Sequence, residues 1–156
     1  MTEFDFLHDT AGGEPIRIPE IGLDLRIRLS ARGNDGRLTV IETVYAAGSG
    51  LPLHRHPETE VHRITGGSFL FEVDGKRFDA STGDLVCIPG GAEHRFLNVT
   101  DSPASQLVLI MPGLDAAGFY TEFAGVMRGG TADPAVLATF EEYWGFELLG
   151  PPIRPD

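Results

Sequence analysis

Apolar and polar residues alternate strictly over Leu23–Leu29, with Leu23, Leu25, Ile27 and Leu29 set against Asp24, Arg26 and Arg28. A period of two marks a strand with one buried and one wet face, so Arg26 and Arg28 read as solvated rather than as a ligand clamp. Gly33-Asn34-Asp35-Gly36 is a turn by composition. Residues 38–46 follow as a strand rich in β-branched side chains, Val40, Ile41 and Val44 among them. Residues 47–52 read as a loop. Phe69, Phe71 and Val73 then share one face before Asp74-Gly75, a dipeptide that closes tight hairpins, and Phe78 lies on the return strand. Apolar runs at Leu85–Ile88 and over residues 107–111 supply two more strands. Many short strands separated by closely spaced turns predict an all-β sandwich or barrel.

The period changes after Pro112. Phe119, Phe123 and Val126 recur at helical spacing, which predicts an amphipathic helix over residues 114–127, weakened by Gly118 and Gly125 and ended by Gly129-Gly130. Asp133 and Pro134 resemble an N-cap and first helical position; Val136, Leu137, Phe140 and Trp144 give the second helix an apolar face, and Gly145 is its stop. Gly150-Pro151-Pro152 closes the chain in an extended form. The helices are expected to pack over one end or side of the β structure, a dimer contact being the competing use. Residues 1–20 form an N-terminal arm that a partner subunit could order, residues 21–112 the barrel, and residues 113–156 a helical extension of the same domain. There is no internal repeat. His8, on the arm, reads as a surface residue.

Composition narrows the function. A chain of 156 residues suits one domain with one core. Lys plus Arg number 12 against 23 Asp plus Glu, a net charge of −11 that repels a polyphosphate backbone and excludes nucleic acid as the expected partner. The one cysteine, Cys87, rules out an intrachain disulfide and, lying in an apolar run, is expected in the core. No N-terminal run resembles a signal peptide and none is long enough to span a bilayer, so the cytoplasm is the expected location and no membrane partner is expected.

Four of the five histidines fall between Gly48 and Asn98, in two glycine-punctuated blocks. The first runs Gly48, His54, His56, Glu60, Gly67; the second runs Gly83, Pro89, Gly91, His94, Asn98. On an extended strand His54, His56 and, absent a bulge, Glu60 project to one side, with i and i+2 roughly 6.5 Å apart at about 3.3 Å of rise per residue. Two imidazoles can lean together over that span to reach one cation. His94 must arrive from another strand, because ligands on a single strand cannot surround an ion. Imidazole with carboxylate suits Zn, Fe, Ni, Cu or Mn and argues against Mg or Ca.

The spacings Gly48-x5-His54-x-His56-x3-Glu60-x6-Gly67 and Gly83-x5-Pro89-x-Gly91-x2-His94-x3-Asn98 resemble the two cupin motifs, with every specified position filled. The flanking strands and two-helix tail resemble small single-domain bacterial cupins often called quercetin-dioxygenase-like. The resemblance implies a double-stranded β-helix, or jelly-roll barrel, with C-terminal helices, and His54, His56, Glu60 and His94 as ligands of one divalent transition metal (Fe, Ni, Mn, Cu or Zn). It also implies that Glu60 is ligand, general base, or both. Cupins include dioxygenases, isomerases, cyclases, decarboxylases and binding proteins, so reaction class does not follow from fold.

His62 departs from the aromatic residue many relatives carry. Strand parity puts it on the face of Glu60, where it is either a general acid or base beside the metal or a core histidine bonded to a polar neighbour. Phe96, on the parity of His94, is expected to line the cavity, and Asn98 to fix a turn. The leading expectation is a metal-dependent dioxygenase acting on a small hydroxylated or carbonyl substrate, aromatic or polyketide-like. A cyclase or isomerase, and a non-catalytic small-molecule binder, are the alternatives, and a homodimer is the expected assembly.

Overall fold

The computed structural model describes residues 6–10, 13–130 and 132–155. The strands among them are β1 (Ile16–Ile18), β2 (Leu23–Leu29), β3 (Thr39–Tyr45), β4 (Gly50–Arg55), β5 (Thr59–Gly66), β6 (Ser68–Val73), β7 (Lys76–Ser81), β8 (Leu85–Ile88), β9 (His94–Asn98), β10 (Ala104–Met111) and β11 (Glu147–Leu148). They form a six-stranded sheet in the order β1-β2-β3-β10-β5-β8 and a five-stranded sheet in the order β11-β4-β9-β6-β7, every recorded pair antiparallel. Two facing antiparallel sheets with a helical tail are the expected double-stranded β-helix.

Period-two patterning decides what the sheets enclose. On β10 the residues Ala104, Gln106, Val108 and Ile110 point in while the intervening side chains point out. Phe69 and Phe71 on β6, Phe96 on β9 and Tyr45 on β3 meet in the middle, with ring centroids 5.1–6.3 Å apart and mostly edge-to-face. The β6–β7 hairpin closes at Asp74 (φ 48°) and Gly75 (φ 82°), the pair of positive angles a two-residue turn needs to match strand twist. Asp74 Oδ1 accepts the Glu93 amide at 2.9 Å, tying this turn to the start of β9.

The same parity corrects one expectation. Cys87 is exposed: within β8, Val86 and Ile88 face the core, which turns Leu85 and Cys87 outward. Arg28 also differs from the solvated reading. It is half-buried, donating Nε–H to Asp9 Oδ2 at 2.8 Å and pairing with Glu42 across the β2–β3 register. The expected loop over residues 47–52 is shorter, because β4 begins at Gly50.

Helices α1 (Ala116–Met127) and α2 (Pro134–Trp144) form where the sequence indicated. Asp115 Oδ1 accepts the Gly118 amide at 3.1 Å, and Asp133 Oδ1 accepts those of Ala135 and Val136. Gly145 takes the left-handed conformation (φ 67°) and its N–H donates to the Glu141 carbonyl. Phe119 and Phe123 of α1 meet Phe140 and Phe146 in tilted and edge-to-face contacts at 5.3–5.7 Å, so the tail packs through an aromatic cluster. Beyond α2 the chain adds β11 beside β4, pairing Leu148 with His54 and Glu147 with Arg55. No helix among the described residues is long and apolar enough to cross a membrane.

Candidate metal centre

The neighbouring strands β4 and β9 set His54 directly opposite His94, their rings 4.1 Å apart. Gly50 permits that approach: a Cβ there would lie 1.9 Å from the Phe96 carbonyl oxygen. No motif spacing singles Gly50 out, and only the strand contact reveals it. His56 sits just past the end of β4, and the single-strand reading of the first block fails here. Pro57 cannot donate to a ladder, the strand stops, and the chain crosses to the six-stranded sheet, where Glu60 points inward from β5. Two imidazoles on one sheet, and a third just past its β4 end, therefore face one carboxylate on the other sheet, with four ligand atoms within 4.8 Å of one another.

Hydrogen bonds fix which ring atoms are offered. His54 Nδ1–H donates to the Pro52 carbonyl at 2.7 Å, His56 Nδ1–H to the Glu58 carbonyl at 3.1 Å, and His94 Nδ1–H to the Ala92 carbonyl at 2.9 Å. A carbonyl can only accept, so each Nδ1 carries a proton, and in the neutral ring Nε2 is the atom left to bind a ligand. His56 Nε2 lies 2.9 Å and His94 Nε2 3.2 Å from Glu60 Oε1, separations that a proton or a cation must bridge. Phe146 stacks on the His54 ring at 5.2 Å and shields it from water.

Electrostatics follow from this packing. Burial, then the neighbouring His94, push His54 well below the ordinary imidazole range, leaving it neutral as a ligand should be. His56 moves up, because the hydrogen bond and charge of Glu60 outweigh burial. Burial raises Glu60 more than any other single influence. Hydrogen bonds from His56 and His94, with the His62 ring 3.6 Å away, nevertheless hold its carboxyl well below the usual range.

His62 is buried on β5 as parity requires, with Nδ1 2.6 Å from Gln106 Oε1 and Nε2 lacking a hydrogen-bond partner. It sits behind Glu60 and is not part of the cavity wall. Phe96 likewise lies in the aromatic core rather than on that wall, a correction to the expected lining role. Parity fixed its side of the sheet, but its depth along β9 sets it below the metal ligands. Asn98 is fully buried and ties the end of β9 to residues 45, 46, 100 and 102.

A family model described as a cupin domain matches residues 41–110. Over that stretch the chain is similar to a cupin domain, and its two-sheet barrel has the cupin fold. Among solved structures, the RmlC-like cupin from Shewanella frigidimarina is 19% identical over 72% of this chain and 93% of that one, with a TM-score of 0.58. KdgF from a Halomonas species is 18% identical over 62% and 84%, at 0.56. A predicted oxalate decarboxylase from Thermotoga maritima is 23% identical over 58% and 80%, also at 0.56. No curated protein matches the sequence. At these identities the likeness is one of fold.

The donor set of this barrel fits a transition metal, since three correctly tautomerised imidazoles and one carboxylate converge where a single cation would satisfy all four. The centre opens on a cavity of about 40 Å³, bounded beyond the metal residues by Glu58 and by an apolar cover in which Phe119, Tyr120 and Trp144 come from the helical tail. That volume holds only a few waters. Trp144 Nε1–H donates to Glu122 at 2.7 Å, pinning α2 to α1 above the opening.

Proposed function

We propose that this cupin is a metal-dependent enzyme acting on a small hydroxylated or carbonyl substrate, and that the reaction is a dioxygenation. The observation supporting this is the convergence of three Nε2 atoms and Glu60 Oε1 beside a small, mostly apolar cavity. Four protein donors leave one or two sites of a five- or six-coordinate ion for substrate and dioxygen. His54, His56, Glu60 and His94 would hold the ion, which when bound would supply Lewis acidity and, as Fe, Ni, Mn or Cu, redox activity. The apolar cover of Phe119, Phe123 and Trp144 excludes bulk water. Glu60, at the cavity wall, accepts the proton of a substrate hydroxyl. His62 acts through Glu60 as a positioning residue, its Nε2 3.6 Å from the carboxylate and its Nδ1 anchored by Gln106.

The Glu60–His62 pair also supports a second reading, a Zn-dependent cyclase or isomerase in which Glu60, positioned by His62, moves a proton between substrate carbons. Elemental analysis of protein purified without added metal comes first, followed by oxygen-uptake measurements with each metal restored to the apo protein against hydroxylated aromatics and β-dicarbonyls. Uptake matched to substrate loss supports the dioxygenase. Substrate conversion without uptake replaces it with the cyclase or isomerase, and ligand affinity without turnover replaces both with a binding protein. His62→Phe with an unchanged rate and pH profile would remove His62 from the mechanism.

A further inference from the structure

The cavity has a second polar pole that the metal residues do not explain. Glu58 lies on its wall, and its Oε2 atom is buried with no hydrogen-bond partner. The nearest polar atom shown is His56 Nδ1 at 3.8 Å, too far for a hydrogen bond and already engaged with the Glu58 carbonyl. A buried carboxylate oxygen without a donor destabilises the fold, and such groups persist where a ligand completes them. Tyr120 of α1 lines the same cavity, its hydroxyl unpartnered among the described residues and within the electrostatic reach of both Glu58 and Glu60. Apart from these two and the candidate metal ligands the wall is apolar, and neither Lys nor Arg contributes to it.

We propose that Glu58 and Tyr120 together grip a hydroxyl group on a small substrate that carries no anionic group remote from the metal. This rests on the metal-enzyme reading above and narrows its substrate class. A hydroxyl satisfies both residues at once, donating to Glu58 Oε2 and accepting from the Tyr120 O–H. An ether or methyl in its place leaves Glu58 unpaired, which is why the site discriminates more strongly than its few contacts suggest. A carboxylate or phosphate at this pole meets Glu58 with no Lys or Arg on the wall to offset it. The cavity's size restricts the closed form to a ligand of a few non-hydrogen atoms, and a larger one requires the helical cover to yield.

The test titrates hydroxyacetone, acetone and pyruvate into the full-length protein, with and without bound metal, followed by ligand-observed NMR. Hydroxyacetone should bind at least about tenfold more tightly than acetone, the discrimination expected when a buried polar group is left unpaired, and pyruvate should not gain over acetone on metal-free protein. Glu58→Leu and Tyr120→Phe should each bring hydroxyacetone to within about threefold of acetone. Glu58→Leu should also raise Tm, because it removes an unpaired buried carboxylate, and this shows that the variant folds. An unchanged preference in both variants, pyruvate as the tightest metal-free ligand, or no binding of hydroxyacetone to the wild type overturns the proposal. Failure of the metal reading is seen separately, as a chain that keeps the hydroxyl preference yet takes up no metal.

Discussion

Asn98 offers the sharpest test of how the barrel is held together. Its side chain is fully buried and makes five hydrogen bonds. Nδ2 donates to the carbonyls of Tyr45 (3.0 Å), Ala46 (3.2 Å) and Ser102 (2.8 Å), and Oδ1 accepts from the amide (2.9 Å) and hydroxyl (2.7 Å) of Thr100. At about 1 kcal/mol net per buried hydrogen bond, reduced because water can reach the exposed Ser102 side of the turn, Asn98→Ala should cost about 3–4 kcal/mol. For a chain of this length that corresponds to a fall in Tm of roughly 10 °C. Asn98→Asp should be worse than Ala, although it keeps both acceptor contacts, because it turns an acceptor oxygen toward three carbonyls. Urea unfolding followed by Trp144 fluorescence gives the free energies. His94 stands at the opposite end of β9, so metal stoichiometry should survive in any folded fraction. A loss under 1 kcal/mol, or an Asp variant as stable as the wild type, would refute this account of Asn98 as the clamp between β3 and β9.

The other predictions concern the site and its supports. Zn or Ni at about 100 times its Kd should stabilise the wild type by about 2.7 kcal/mol in a thermal melt at pH 7.5, and His94→Ala should lose most of that gain; equal stabilisation of the variant would remove His94 from the ligand set. Gly50→Ala forces a Cβ into the Phe96 carbonyl and should destabilise by roughly 2–4 kcal/mol while weakening metal binding, as read by urea unfolding and a metal titration; a neutral result would mean that β4 and β9 can separate freely. Glu72 accepts from Arg95 Nε at 2.6 Å and Arg77 Nε at 3.0 Å, and these contacts hold its carboxyl below the usual range. A depressed folded pKa gives stability that is complete above the unfolded value of about 4.5 and is lost as pH falls through the folded one. Glu72→Gln should therefore cost about 1–2 kcal/mol at pH 7, and the two proteins should converge on acidification, with a pH-independent difference ruling the ion pairs out as its source. Light scattering at tens of micromolar tests the proposed homodimer directly, a monomeric mass discarding it.

What the chain makes legible follows from what each pattern encodes. Period-two alternation fixes which side of a sheet a residue takes, and on that basis the inward side of His62, Phe69 and Phe71 could be read from the sequence. The same rule, applied residue by residue, would have placed Cys87 outside. Reading residues 85–88 as one apolar run hid the fact that Val86 and Ile88 already claim the core face. The four candidate ligands could be picked out by motif spacing, yet the reason they converge could not. Pro57 breaks the strand that parity alone would have continued, and Glu60 reaches the imidazoles from the facing sheet. Alternation carries no information on depth along a strand, so Phe96 and His94 share a face but only one belongs to the metal cluster. Least legible was the tail. Caps and apolar spacing specify where α1 and α2 start and stop, but not that Phe146 would stack on His54 or that Tyr120 would reach the cavity. The Phe146 contact adjoins the pairing of Leu148 with His54, a two-residue strand whose sequence has no distinguishing pattern. A segment that resembles a packing appendage closes the cavity beside the candidate ligands, so changes to the tail should alter what that cavity accepts while leaving the ligands untouched.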